Sequence, residues 1–156
     1  MTEGNSQPDL ELRDLLQRLQ TARAGLMEAI GALDPDSFTA EVADGASVKR
    51  ALERTVDDLN FYYGTLVARA LSLPQPPCLQ RADFSSLREA TMSLQVAHRR
   101  FSNLLHDLIP SDLEKVAIDP QHGTYTLRQI LELATAQYSL RTQQLQHIAA
   151  QTARRS

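Results

Sequence analysis

Gly123-Thr-Tyr-Thr-Leu-Arg-Gln-Ile-Leu-Glu132 is the stretch that decides the fold. Thr126 and Gln129 stand three residues apart, the capping-box spacing in which two side chains satisfy free backbone amides at a helix start. From there Leu127, Ile130, Leu131, Ala134, Tyr138, Leu145 and Ile148 fall on one helical face and predict a helix over about 126–150. An earlier stretch, Gly45-Ala-Ser-Val-Lys-Arg-Ala-Leu-Glu53, has the same order of glycine, hydroxyl cap and apolar stripe. Each is preceded by a proline stop, Leu33-Asp-Pro-Asp in one half and Leu108-Ile-Pro-Ser-Asp in the other.

The remaining segments follow from the same periodicity. Leu12, Leu15, Leu16, Leu19, Ala22, Leu26, Ile30 and Leu33 predict a helix over 9–33. Val48, Ala51, Leu52, Val56, Leu59, Tyr62, Tyr63, Leu66 and Val67 predict a second over 47–71. Ser86 and Glu89 form another capping-box pair, and Leu87, Ala90, Leu94, Ala97, Phe101, Leu104, Leu105 and Leu108 carry the third. No alternating run reads as a strand. The expected fold is therefore all-α: one domain over 1–156, an antiparallel four-helix bundle of two similar hairpins. Shared turn chemistry alone is the alternative source of the echo. Residues 1–8 and 151–156 are expected to be flexible ends.

Composition narrows function mainly by exclusion. With 42% hydrophobic and 22% charged residues, the 156-residue chain reads as globular. A formal charge of −3 argues against a nucleic-acid binder, and the pairs Arg99-Arg100 and Arg154-Arg155 are too short to reverse that. The polar start MTEGNSQPDLELRD has no signal-peptide pattern, and no apolar run reaches the roughly 20 residues that span a bilayer, so a cytoplasmic protein without membrane contact is expected. Cys78, the only cysteine, lies in Pro-Gln-Pro-Pro-Cys with no neighbour to favour a thiolate. Phe61-Tyr62-Tyr63 reads as core or boundary, with a pocket mouth or dimer face as the other option.

The order of helix, "L-x-P-x-D/S", loop, "S-V-x-x-x-L" and final G-T-Y-T-L-R-Q-I-L-E resembles the DinB superfamily of bacterial helical bundles, including the YfiT-like proteins. The likeness runs from about Leu12 to Ile148. It implies a homodimer. It also implies a divalent metal held by three histidines, one on the second helix and two a turn apart on the fourth, serving a bacillithiol- or mycothiol-dependent S-transferase or isomerase. The matching positions here are Arg54, Gln137 and Arg141. Arginine stays protonated and presents donors only, so the family's metal site is lost and no cofactor is expected.

No other set replaces it. His98, His106, His122 and His147 include no i, i+4 pair, and each reads as a surface or boundary residue. Asp57 and Asp58 are adjacent and point about 100° apart on a helix. Arg54, Gln137 and Arg141, with Asp58 and Tyr138 nearby, leave two readings open. One is a polar plug in which Arg54 pairs with Asp58 or Asp57. The other is a site for a small carboxylate or phosphate between two guanidiniums. A non-catalytic binding or scaffold protein is the functional expectation, with an S-transferase using other ligands as the enzyme alternative.

Overall fold

The computed structural model describes residues 7–74 and 80–155. The expectation for Cys78 falls outside these residues, as does part of that for each chain end. Helix α1 spans Gln7–Gly31. Helix α2, Val48–Asp57, continues through a π-helical stretch, Asp58–Tyr63, into α3, Gly64–Ala70, as one rod. Helix α4 spans Leu87–Leu104 and α5 spans Leu127–Arg155. Among the described residues no helix is long and apolar enough to cross a membrane.

The capping residues set the helix starts. Ser47 Oγ accepts from the Arg50 amide and Ser86 Oγ from the Glu89 amide, each at 3.1 Å. At Thr126 the box is fully reciprocal, the Thr126 hydroxyl accepting from the Gln129 amide while Gln129 Oε1 accepts from the Thr126 amide. The π stretch ends at Gly64, whose N–H donates to Leu59 O, five residues back. A Cβ on residue 64 would stand 2.7 Å from that oxygen, so glycine is what lets this wider turn close.

Two expectations need correction. The chain between Pro110 and Thr126 is not a plain loop: β1, Val116–Asp119, pairs antiparallel with β2, Gly123–Thr126. The strands are four residues each, too short to stand out as an alternating run. Gly123, at φ +94°, turns the chain into β2 in a left-handed conformation that glycine adopts freely.

Nor is the bundle antiparallel throughout. Arg128 near the start of α5 donates to Glu11 near the start of α1, so these two helices run parallel. The α2–α3 rod runs against α5, since Asp58 meets Arg141 while Tyr63, further along the rod, shares a void with Gln137, one turn earlier on α5. After α3 the chain returns along α2, Asp57 accepting from the Ala82 amide and Glu53 from the Phe84 amide. Lys49 ties the return down through Asp83 and the Phe84 carbonyl, both at 2.8 Å. Helix α4 therefore starts beside the start of α2 and runs parallel to it. The order is up, down, down, up, an arrangement in which two parallel helices in sequence need a long connection.

The apolar stripes meet where expected. Leu26, Leu52, Leu94, Phe101, Leu127, Ile130, Leu131 and Leu145 are among the most deeply buried side chains.

Candidate functional site

Helix α5 packs with both α1 and the α2–α3 rod, and its inward polar residues lie between them. Arg141 falls on the stripe Ala134, Tyr138, Leu145 and Ile148 and is only 8% exposed. Its Nη1 donates to Gln144 Oε1 at 2.9 Å and its Nη2 to Asp58 Oδ2 at 3.4 Å. Burial holds the Asp58 carboxyl above its ordinary range, outweighing the attraction of Arg141 and Arg54. The neighbouring Tyr63 hydroxyl is pushed up to about 12 by burial and by the charge of Asp58.

Arg141 Nε and Gln137 Oε1 are buried without a hydrogen-bond partner among the described residues. Both side chains line a void of about 10 Å³ with Thr55, Asp58, Leu59, Tyr63, Ala134 and Tyr138. That is room for about one water, which can accept from one group and donate to the other. A carboxylate or phosphate does not fit in that void.

The predicted residues thus come together in part. Asp58, Gln137 and Arg141 share one cluster. Arg54 is not on that void, because the α2 stripe of Ala51, Leu52, Thr55 and Val56 leaves residue 54 exposed; it meets Arg141 and Gln144 at a second, more open cavity. The pairing of Arg54 with Asp58 or Asp57 is replaced: Asp58 pairs with Arg141, and Asp57 accepts from the Ala82 amide. Gln144, the closest amide partner of Arg141, was not among the expected residues, although its i+3 spacing on α5 is the signal that points to it.

Tyr138 belongs half to this cluster and half to another. Its hydroxyl bonds His98 Nδ1, and His98 Nε2 lies 3.1 Å from Ser102 Oγ. His98 is 5% exposed, which corrects its reading as a surface or boundary residue. Its place three residues before Phe101 and four after Leu94 is the spacing that buries it. Burial, aided by the Arg23 charge, lowers His98 to about 4, while burial raises the Tyr138 hydroxyl against the opposing pull of Arg23. A neutral imidazole donates at one ring nitrogen and accepts at the other, and the hydroxyls of Tyr138 and Ser102 satisfy both in either tautomer.

The hairpin carries a third polar group. Asp119 Oδ2 accepts from the Tyr62 hydroxyl at 2.7 Å and from His122 Nδ1 at 2.9 Å, and Oδ1 accepts from the Gln121 amide at 2.9 Å. These donors, Tyr62 foremost, hold the Asp119 carboxyl far below its usual range. The contact locks the hairpin turn to the π-helical stretch of the α2–α3 rod.

Among the described residues no group of three or more histidine, cysteine, aspartate or glutamate side chains is placed to hold a metal ion. No family model, curated protein or solved structure matches the chain.

Proposed function

We propose that the chain is a DinB-like bundle that has lost the superfamily's metal-dependent thiol-transferase site and serves as a non-catalytic binding or scaffold protein. The observation that carries this reading is Arg141, buried at a position where the resemblance places a metal-binding histidine. A guanidinium there is a permanent cation with donors only, which repels a divalent ion instead of ligating it. Asp58, the carboxylate at the site, is committed to Arg141. The residues present do not fit the metal. A homodimer and a cytoplasmic setting belong to the same proposal.

Restoring the three histidines tests it. The Arg54→His/Gln137→His/Arg141→His protein is expected to melt higher with nickel or zinc, by about 2–3 kcal/mol at free metal a hundredfold above Kd. The parent protein should ignore both ions. A folded triple variant with no metal response would show that the three positions do not converge as the resemblance requires.

A further inference from the structure

A larger cavity lies on the solvent side of Arg141. It measures about 350 Å³ and is lined by Asp44, Ser47, Arg50, Arg54, Arg141 and Gln144, among others. Three guanidiniums on one cavity are notable in a chain whose net charge is −3. Arg50 and Arg54 are four residues apart, so they project from one face of α2 and repel each other. We propose that this cavity binds a small oxyanion, a carboxylate or phosphate, between Arg50 and Arg54 at the mouth and Arg141 at the floor.

The local charges are compensated only in part. The Arg50 contact with Glu41 is 3.5 Å long between two exposed side chains, a type of pair worth little. Arg54 forms no salt bridge among the described residues. The Arg141 side chain is nine-tenths buried, its Nε has no partner there, and its pairing with Asp58 is a long 3.4 Å. The acidic side chain on the cavity wall, Asp44, has Oδ1 accepting from the Ala46 amide at 3.1 Å. Gln144 on the same wall adds an amide that offers both donor and acceptor.

The helix start contributes charge but few free amides. The Lys49 amide is used by the Phe38 carbonyl and the Arg50 amide by Ser47 Oγ. Affinity therefore has to come from the arginine forks, which suit a planar carboxylate or the edge of a phosphate. The volume sits near the lower end for ligand pockets and favours a small molecule over a nucleotide or a peptide.

This inference deepens the proposed reading and rests on it, since it needs Arg141 to be a resident guanidinium. The test is calorimetry and melting of the full chain with inorganic phosphate and with succinate, against sodium chloride at matched ionic strength. Saturable binding of at least one probe is expected, weakened at least about tenfold in Arg54→Gln and in Arg50→Gln. Both substituted residues are exposed, so these variants should fold as the parent does. A response to phosphate alone assigns a phosphoryl ligand, and one to succinate alone a carboxylate. No response beyond chloride, or unchanged binding in both variants, overturns the site. The closed-metal-position reading survives that result, because its own readout is the response to metal ions.

Discussion

Between pH 7 and pH 4 the protein is expected to lose about 3 kcal/mol of stability through His98 alone. The imidazole is held at about 4 in the folded chain, against an ordinary 6.5, because burial and the Arg23 charge oppose its protonation. Below about 6.5 the unfolded chain takes up a proton that the folded chain refuses. Stability from this residue is therefore complete above that pH and falls as pH drops toward 4. The carboxylates held below their usual range, Asp83, Asp112, Glu114 and Asp119, begin to lose their contributions only below about pH 5, so the slope between about pH 6.5 and 5 belongs to His98. Denaturant melts at a series of pH values should show the slope in the parent and its loss in His98→Gln. Equal slopes in both proteins would place the acid sensitivity elsewhere.

The second large effect concerns Asp58 and Arg141. Asp58→Ala should cost about 2 kcal/mol, because it leaves a buried guanidinium held by Gln144 alone. The figure is kept below that for a fully buried pair because the Asp58 side chain is 34% exposed. Arg141→Met should cost less than Asp58→Ala: the buried charge is gone, the volume is largely kept, and Asp58 can turn to water. The double variant should sit close to Arg141→Met, giving a coupling of about 1–2 kcal/mol in the cycle. Coupling near zero, measured by denaturant unfolding of the four proteins, would mean that the pair does not form.

Much of the fold was readable because it is written in helical period and capping chemistry. Ser47, Ser86 and Thr126 mark three helix starts, and the structure places each hydroxyl on the expected amide. The hairpin was hidden for a physical reason. Thr126 ends β2 and also caps α5, so the helix signal masks a strand of four residues. Helix direction was hidden too, since periodicity gives a face and not an orientation. The return of 82–84 along α2, held by Glu53 and Asp57, is a long-range pairing that no local pattern announces.

The site was legible on α5 and only in part on α2. The stripe through Tyr138 and Leu145 carries Arg141 inward, whereas the stripe on α2 passes Arg54 by. His98 reads as a surface residue by type and as a core residue by position. A histidine between Leu94 and Phe101 at helical spacing is buried by its neighbours, and Tyr138 supplies the hydrogen bond that makes the burial tolerable.

The central claim is that a guanidinium–carboxylate pair closes the position where the resemblance places a metal. Its most direct test is metal content by plasma mass spectrometry on untagged protein, with melting curves in nickel, zinc and manganese. The account predicts metal well below one ion per chain and melts that ignore all three. Stoichiometric metal, or a melt raised by one of these ions, would contradict it and make an enzyme the leading reading.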